Sequence, residues 1–399
     1  MIIQKYGGTS VQSIEKMRAI ANKIIAKKSL GEDIIVVVSA MGKTTNMLLE
    51  MANQAVKTPS KREIDMLLST GEQVSTALLS MILNDQGYEA VSLTGYQAGI
   101  QTEGLHTKNK IKDIDIDKIN THIKAGKIVV IAGFQGVNLT GDITTLGRGG
   151  SDTTAVALAA KYQCRCEIYT DVDGIYSVNP TIYPSAKKLS EISYEEMSEL
   201  AYLGAKVMEP RAVEIGQKYG VEIIVGSAHE TKAGTTIKER AQMLEQRHIT
   251  GLSVIENVVM ITINHYPQTS KSVADLFIRL AENEINIDMI SQTILSDGLL
   301  NISFTCDADE VDTVEAVLKE LKHIYPFFNV SANVRVSKLS VVGLGMRSQS
   351  GVAAKIFKLF ADHDIPFQLV TTSEISISYT ISNEWVKKSV SLIAEAFGL

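Results

Sequence analysis

Short runs of β-branched residues alternate with amphipathic helical stretches through the first two thirds of the chain. Unbroken apolar runs such as Ile34-Ile-Val-Val-Val38 are typical of strands buried on both faces of a largely parallel sheet. We predict strands at residues 2–6, 34–39, 90–94, 128–134, 167–170 and 222–226, and helices at 10–26, 64–84, 152–161, 194–202 and 207–219. This alternation predicts an α/β fold, a three-layer αβα sandwich, with ligands at the carboxyl ends of the strands.

The pattern changes after about residue 238. Residues 238–248 are highly charged, and we predict that they form a helical connector. Beyond them the sequence repeats weakly at an offset of 80 positions, and each copy has the element order of a ferredoxin-like βαββαβ unit. The matching residues are Ala274, Phe277, Leu280, Ala281 and Ile285 in the first copy and Ala354, Phe357, Phe360, Ala361 and Ile365 in the second.

The second copy reaches residue 399 before its final strand, because its second helix is predicted at 383–397. A strand at 251–256, ahead of the first copy, has no obvious partner. We expect this strand to complete the second unit, which would make the two units intertwined. The predicted domains are 1–237, a connector at 238–249, a first unit at 250–330 (with 250–256 pairing into the second) and a second unit at 331–399.

Composition and charge exclude several classes of protein. Of the 399 residues, 45% are hydrophobic, which excludes a disordered chain, and 39 basic against 45 acidic residues give a net charge of −6. This balance argues against broad attraction to nucleic acid or to an anionic membrane. Three cysteines are too few for a disulfide framework, and no secretory signal is visible at the N-terminus. We expect a cytoplasmic protein without nucleic-acid or membrane partners.

A first candidate phosphate site is the segment Lys5-Tyr-Gly-Gly-Thr-Ser10, which ends the first strand and opens the first helix. Two adjacent glycines let the backbone approach an anion closely, and the helix N-terminus adds N–H donors. Lys5 supplies a full positive charge. An ordinary strand–helix turn with a surface lysine explains the segment equally well when it is taken alone.

Two later turns carry further candidate residues. In Thr145-Leu-Gly-Arg-Gly-Gly-Ser-Asp152, Arg148 is suited to a bidentate grip on a carboxylate or phosphate, and a structural turn would not need both Arg148 and Asp152. The segment Thr170-Asp-Val-Asp-Gly-Ile-Tyr-Ser177 is an acidic turn after a strand, and an Asx-rich turn remains an alternative. H-E-x-x-H, C-x-x-C and G-x-S-x-G motifs are absent from the sequence, so we predict no metal held by the protein itself.

These motifs, taken together, resemble those of aspartate kinases in the amino-acid kinase superfamily. The N-terminal Lys5-Tyr-Gly-Gly-Thr-Ser-Val11 closely resembles their signature. The segments Ser39-Ala-Met-Gly-Lys-Thr-Thr-Asn46, Ser69-Thr-Gly-Glu-Gln73, Gly147-Arg-Gly-Gly-Ser-Asp152, Thr170-Asp-Val-Asp-Gly-Ile-Tyr176 and Gly204-Ala-Lys-Val207 follow in the family's order. The C-terminal repeats resemble the paired ACT domains of the same enzymes, notably at residues 285–290 and 346–354.

The resemblance implies transfer of the γ-phosphate of ATP, with Mg²⁺ carried on the nucleotide, to the side-chain carboxylate of L-aspartate, giving 4-phospho-L-aspartate for lysine, threonine, methionine and diaminopimelate synthesis. An ionised carboxylate needs no general base, so positive charge and alignment suffice. Lys5 and Asp152 are the implied catalytic residues. The implied ATP contacts are Lys5, Tyr6, Gly7, Gly8, Thr9, Ser39, Thr170, Asp171, Tyr176 and Lys206, and the implied aspartate contacts are Thr45, Glu72, Arg148, Gly149, Gly150 and Ser151.

Two of these roles have structural alternatives. Glu72 is expected to accept from the α-ammonium group of aspartate and Thr45 to add a hydroxyl contact. Spacing alone explains Glu72 equally well as a helix-terminus carboxylate and Thr45 as a helix N-cap.

The resemblance also implies feedback regulation. The ACT pair would bind lysine, threonine or both, with Asp288 taking an effector ammonium and backbone from Ile285 to Gln292 taking its carboxylate. A homodimer or homotetramer would form through these units, which in the simplest alternative serve only as dimerisation modules. Other candidates for the whole chain are a different amino-acid kinase, such as glutamate 5-kinase or acetylglutamate kinase, and a non-catalytic amino-acid sensor.

The sequence departs from the family pattern in three places. Relatives usually carry D-P-R where this chain has Asn179-Pro-Thr181, so one cationic nucleotide contact is lost unless another base such as Lys187 replaces it. Glu209 stands before Pro210 where histidine is common. The first ACT copy has Lys271 in place of the usual glycine turn.

Overall fold

The computed structural model describes residues 1–230, 232–239, 248–295, 297–347 and 350–399. The described chain divides into two compact units. The first consists of Met1–Ile175, Lys188–Ala201 and Lys206–Met243, and the second of Tyr176–Lys187, Tyr202–Ala205 and Leu244–Leu399. Most of the predicted charged connector, residues 240–247, lies outside the described residues.

The first unit is built on an eight-stranded sheet with the order β10-β12-β11-β9-β1-β2-β6-β3. Neighbouring strands run parallel except β11 and β12, which pair antiparallel. The strands are β1 (Ile2–Tyr6), β2 (Ile34–Val38), β3 (Ala90–Leu93), β6 (Ile128–Ala132), β9 (Cys166–Thr170), β10 (Glu191–Ser193), β11 (Ile223–Ser227) and β12 (Thr235–Lys238). The predicted strands are therefore all present, in a largely parallel sheet.

Helices cover both faces of this sheet because successive strand side chains point to opposite sides. Ile34, Val36 and Val38 share a buried core with α1 (Ile14–Lys28) and α4 (Thr70–Asp85). The intervening Val37 approaches the opposite layer, where α6 (Gly150–Tyr162) begins. The remaining helices of the unit are α2 (Thr44–Ala55), α3 (Lys61–Leu68), α5 (Asp117–Lys124), α7 (Tyr194–Tyr202) and α8 (Pro210–Tyr219).

A small second sheet was not predicted from the sequence. It has the order β5-β4-β7-β8, with β4 (Ile100–Glu103), β5 (Lys110–Ile114), β7 (Gln135–Val137) and β8 (Ile143–Thr145). These strands are three to five residues long and mostly polar, so their hydrophobic pattern is too short to identify.

The helix predicted at 64–84 is two helices, α3 and α4, which meet at Ser69. The side-chain amide of Gln135 donates to the carbonyl oxygen of Ser69 (2.7 Å), so a tertiary contact takes an acceptor that a continuous helix would use internally. By length and composition alone the stretch Lys61–Asp85 could cross a membrane, but half of its most apolar part is buried inside the structure. It packs as core helices, with the carboxylates of Asp65 and Glu72 buried.

The second unit contains a six-stranded antiparallel sheet of order β14-β15-β13-β16-β18-β17. Its strands are β13 (Gly251–Pro267), β14 (Ile287–Ile294), β15 (Leu299–Asp307), β16 (Asn329–Val342), β17 (Phe367–Thr372) and β18 (Ser376–Ser382). Its helices are α9 (Ser270–Glu282), α10 (Val311–Ile324), α11 (Val352–Asp362) and α12 (Val386–Phe397).

Strands β13 and β16 each run through both ferredoxin-like halves of this sheet. The beginning of β13, from Gly251 to Ile255, pairs with Val342 to Lys338, while its later part pairs with β15 and with the first half of β16. Leu252 lies in the core that α11 and α12 cover, and Val259 lies in the core that α9 and α10 cover. The strand ahead of the first copy therefore completes the second ferredoxin-like half. The two halves of this sheet are intertwined, as predicted.

Candidate active site

The carboxyl end of β1 places a lysine beside the first turn of α6. Lys5 Nζ lies 2.6 Å from Oδ1 of Asp152, and only 11% of each side chain is exposed. Because Asp152 follows Arg148 by four residues, this ion pair puts the first and second glycine-rich turns at the same end of the sheet. The central prediction from the sequence, that Lys5 and the Arg148 loop converge, agrees with this geometry.

The two glycines after Lys5 form a turn that packs closely against neighbouring backbone. A Cβ on Gly8 would lie 2.8 Å from the carbonyl oxygen of Ala40, so only glycine fits there. The N–H groups of Gly8 and Thr9 have no acceptor among the described residues. The N–H of Gly7, however, donates to the carbonyl oxygen of Tyr169 (3.1 Å). Its predicted use by a phosphate is therefore corrected: two backbone donors are available at this turn rather than three.

Tyr6 is another of the implied ATP contacts. Its side chain is fully buried and stacks on the ring of Tyr169, with 5.0 Å between centroids. Burial raises the pKa of the Tyr6 phenol well above its usual value. Its backbone oxygen accepts from the N–H of Ser39 (3.1 Å), so Tyr6 belongs to the sheet and its core.

The turn before α6 carries the implied aspartate contacts. Gly149 has a left-handed backbone (φ 62°), which favours glycine, and a Cβ on Gly150 would lie 2.8 Å from the Phe134 ring. Ser151 is buried, whereas Arg148 is exposed. The Arg148 guanidinium has no hydrogen bond or ion pair with any described residue. The N–H donors of Arg148 are therefore available to a ligand, and the glycines that follow it fix the shape of the turn that carries it.

Residues at the start of α8 support this turn. These residues were not identified from the sequence as part of the site. The Arg211 guanidinium donates to the carbonyl oxygens of Leu146 (2.8 Å) and Asn109 (3.0 Å), and so ties the Arg148 loop to the segment before β5. The side chain of Glu209 packs directly against Gly149. The only sequence signal was the departure at Glu209, because nothing local connects these residues with a loop about 60 positions earlier.

Glu72 lies in the first turn of α4 and is only 3% exposed. Its Oε1 accepts from the N–H of Ala40 (3.0 Å), next to Ser39 at the end of β2, and its Oε2 has no partner among the described residues. Burial raises the pKa of Glu72 to about 7, although the Ala40 N–H opposes this. Thr45 is half-buried in the first turn of α2, where Lys43 occupies the N-cap, so the N-cap alternative for Thr45 is wrong.

The residues implied on the nucleotide side fall in both units. Thr170 ends β9 and donates to Asp171, which is exposed, and Lys206 is exposed in the first unit. Tyr176 belongs to the second unit. The sequence missed Lys188, whose Nζ donates to Asp173 (3.2 Å to Oδ2) and to the carbonyl oxygen of Ala233 (2.8 Å), fixing the turn after β9.

Lys187 does not have the arrangement expected of a substitute for the missing arginine at Thr181. Its Nζ donates to the carbonyl oxygen of Gly398 (2.6 Å) within the second unit.

Of the implied effector residues, Asp288 and Gln292 lie on β14, and Ile285 precedes it by two positions. Asp288 is exposed, but its carboxylate forms an ion pair with Lys338 of β16, whose own side chain is 4% exposed. The N–H of Met289 donates to Asp288 Oδ1 (2.7 Å), and the N–H of Ile285 donates to Leu280. Ile285 is buried in the core, while Gln292 is exposed. An effector ammonium arriving at Asp288 would therefore compete with Lys338 for the carboxylate.

The fold and the lysine–glycine site define an α/β kinase domain joined to a pair of ferredoxin-like units. In agreement, residues 1–227 match the amino acid kinase family and residues 339–397 match the ACT domain.

The chain belongs to the aspartokinase family. It is 46% identical over 400 residues to aspartokinase 2 of Bacillus subtilis (strain 168), covering all of this chain and 98% of that protein. It is 45% identical to the aspartokinase of Bacillus sp. (strain MGA3), covering 100% and 97%. Among solved structures, E. coli aspartokinase III, crystallised with aspartate and ADP, has a TM-score of 0.81 at 22% identity and full coverage of both chains, which is a likeness of fold.

Proposed function

We propose that this kinase transfers the γ-phosphate of ATP to the side-chain carboxylate of L-aspartate, giving ADP and 4-phospho-L-aspartate. The single observation that carries the proposal is the buried Lys5–Asp152 pair beside the glycine turn and the Arg148 loop. Relatives more than 40% identical over the full chain are named aspartokinases, which supports the same substrate.

In the proposed reaction a carboxylate oxygen of aspartate forms a bond to the γ-phosphorus while the bond to the bridging oxygen of ADP breaks. Both reactants are anions, so the chief tasks are neutralising charge and aligning the two oxygens. Lys5 would contact the transferring phosphoryl group, and the N–H groups of Gly8 and Thr9 would donate to its oxygens. Asp152 would orient Lys5 rather than remove a proton.

The aspartate molecule would be held by its α-groups. Arg148 offers a planar guanidinium with unused donors for the α-carboxylate. Glu72 would accept from the α-ammonium through its unpartnered Oε2. Thr45 would add a hydroxyl contact to aspartate and Ser39 one to the nucleotide phosphates, and the Gly149, Gly150 and Ser151 turn would shape the pocket.

The nucleotide would lie along the carboxyl ends of β1 and β9, with Thr170, Asp171 and Lys206 of the first unit as its contacts. Mg²⁺ would arrive bound to ATP and neutralise charge on its phosphates. Lys188 would hold the turn of Asp173 in place beneath the nucleotide.

A coupled assay of ADP formation tests the substrate assignment. We expect turnover with ATP, Mg²⁺ and L-aspartate, and acyl-hydroxamate formation when hydroxylamine traps the product. Glutamate and N-acetylglutamate are the matched alternatives. Glutamate differs from aspartate by one methylene group, and N-acetylglutamate also has its amino group blocked. Faster turnover with either would replace aspartate by another amino-acid substrate. Binding of aspartate without ADP formation would indicate a sensor.

We also propose that the ACT pair mediates feedback inhibition by end-product amino acids, lysine or threonine. The displaceable Asp288–Lys338 pair supports this, because an amino acid carries both charges needed to replace it. A coupling of about 1–3 kcal/mol between effector and aspartate would suffice.

The proposal also includes assembly into a homodimer or homotetramer through the ACT pair. It places the protein in the cytoplasm and in lysine, threonine, methionine and diaminopimelate synthesis. Assays with lysine and threonine, singly and together, test the regulation; no change in activity or melting temperature would leave dimerisation only.

A further inference from the structure

Glu209 is the last residue before α8, and its side chain faces the substrate turn. A Cβ added at Gly149 would collide with the Cβ, Cγ and Oε2 atoms of Glu209, so this carboxylate lies against the backbone of Gly149. It does not cap its own helix, because no side-chain hydrogen bond forms at the N-cap. The side chain is therefore not used for local structure.

The charged groups facing Glu209 come from two elements. Asp152 and Arg148 belong to α6 and its preceding turn, and Arg211 and Glu214 belong to α8. Burial raises the pKa of Glu209, and the charge of Asp152 adds to this, while Arg211 and Arg148 oppose it. Asp152 is paired with Lys5, and Arg211 is bound to two carbonyl oxygens.

Glu209 and Arg148 are left as neighbouring, opposite and unpaired charges. Neither side chain has a hydrogen bond or ion pair with any described residue, although the residue after Arg148 touches Glu209. A carboxylate and a guanidinium at the same turn match the two charges of a zwitterion, whose carboxylate and ammonium sit on one carbon atom. Such a ligand would give each group a charge-assisted hydrogen bond.

We propose that Glu209 is a further specificity residue of the substrate site, which binds the α-ammonium group of the amino-acid substrate while Arg148 binds its α-carboxylate. This inference rests on the proposed function and adds to the role of Glu72. A carboxylate beside two anionic reactants would oppose their binding unless a cation neutralised it. Mg²⁺ arrives on the phosphates of ATP, whereas the substrate's own ammonium arrives beside its α-carboxylate, where Arg148 is proposed to bind, so substrates lacking the ammonium would bind more weakly.

The test compares L-aspartate with succinate, which has the same two carboxylates and no ammonium group. In Glu209→Gln we expect the KM for L-aspartate to rise about 10- to 100-fold, with kcat and the KM for ATP little changed. Succinate, measured as a competitive inhibitor, should bind Glu209→Gln as well as or better than the wild-type enzyme. Glu209→Asp, which keeps the charge, should recover part of the affinity for aspartate. Glu214→Gln removes a charge from the same helix and should leave both constants unchanged.

Each other result overturns the inference. Equal weakening of aspartate and succinate would mean that Glu209 only shapes the Gly149 turn. Tighter binding of both would mean that Glu209 merely repels anions. If Glu209→Gln fails to fold, Glu209→Asp decides the question: a KM for aspartate and a succinate affinity that are both unchanged from the wild type would contradict an ammonium contact at Glu209. Failure of the wild type to phosphorylate aspartate would instead remove the proposed function itself.

Discussion

Two lysine–aspartate pairs, one in each unit, differ in which partner is buried. In the pair proposed for catalysis, Lys5 and Asp152 are each 11% exposed. In the pair proposed for regulation, called the regulatory pair below, Lys338 is 4% exposed while Asp288 is 56% exposed. Lys5 stands on an inner strand of a parallel sheet covered by α6, whereas Asp288 stands on β14, at the edge of its sheet.

In the first pair both charges are buried, and in the second only the lysine is. When both charges are buried, neither gains by leaving the other, because each would remain without solvent or partner. The Lys5–Asp152 pair is therefore held in place. At the sheet edge Asp288 can turn to water, but Lys338 would stay buried and unpaired, so this pair opens at little cost only when a ligand brings a carboxylate for Lys338 as well as an ammonium for Asp288. The following predictions test this contrast, from the largest expected effect to the smallest.

Replacing Lys5 by Met should lower kcat about 1,000-fold, because the transferring phosphate loses its nearest cation. Asp152→Asn should lower kcat comparably, since Lys5 then loses the group that orients it. Circular dichroism should show a folded protein in both cases, and exposed Lys124→Met is the matched control. Near-normal turnover in either variant would show that the buried pair is structural.

The regulatory pair should respond unequally to its two replacements. Asp288→Asn should lower the free energy of unfolding by about 3 kcal/mol, because it leaves the buried ammonium of Lys338 without a partner. Lys338→Met should cost less than about 1 kcal/mol, since the remaining carboxylate is solvated. Urea unfolding measures both. Equal losses would mean that the exposed acid is held as firmly as the buried base.

Arg211 allows a test of how the fixed region is held together. Arg211→Lys should raise the KM for aspartate about tenfold, because a single ammonium cannot bridge the carbonyl oxygens of Leu146 and Asn109. The control is Arg62→Lys, whose guanidinium pairs with surface carboxylates. An unchanged KM would show that the Arg148 loop keeps its shape without this bridge.

Glu72 sharpens the contrast because its buried carboxylate forms no ion pair with any residue in the described part of the chain. Its pKa of about 7 means that the ionised fraction rises from about a tenth at pH 6 to about nine tenths at pH 8. The KM for aspartate should therefore fall several-fold across this range, and Glu72→Gln should abolish that dependence. A steep profile that survives in Glu72→Gln would assign the titration to another group.

The same pKa of Glu72 predicts a change in stability. The folded protein holds the Glu72 proton more tightly than the unfolded chain, so the free energy of unfolding should decrease as pH rises from about 4.5 to about 7. In Glu72→Gln this decrease should be smaller, as measured by urea unfolding at several pH values. Parallel profiles for both proteins would contradict the assignment.

Much of the fold could be predicted because its signals are local. The run at Ile34–Val38 is buried at every position, as an inner parallel strand requires, and the 80-residue repeat located α9 and α11. The helix expected at 64–84 is present within Lys61–Asp85 and is interrupted only at Ser69, whose carbonyl oxygen accepts from the side-chain amide of Gln135, 66 residues later. The short strands of the second sheet were not predicted, because they are too short to show a periodic hydrophobic pattern.

The sequence by itself determined which residue types lie at the strand ends, because each glycine turn carries its charged residue in the same short segment: Lys5 with Gly7 and Gly8, and Arg148 with Gly149 and Gly150. It also determined that the strand beginning at Gly251 must pair outside the first repeat. Only the tertiary structure decided which donors are used up and which charges stay unpaired. The N–H of Gly7 is taken by Tyr169, Asp288 by Lys338, and Glu209 is brought to Gly149 by packing of α8 on α6. Such contacts join segments tens to more than a hundred residues apart, so no local pattern encodes them.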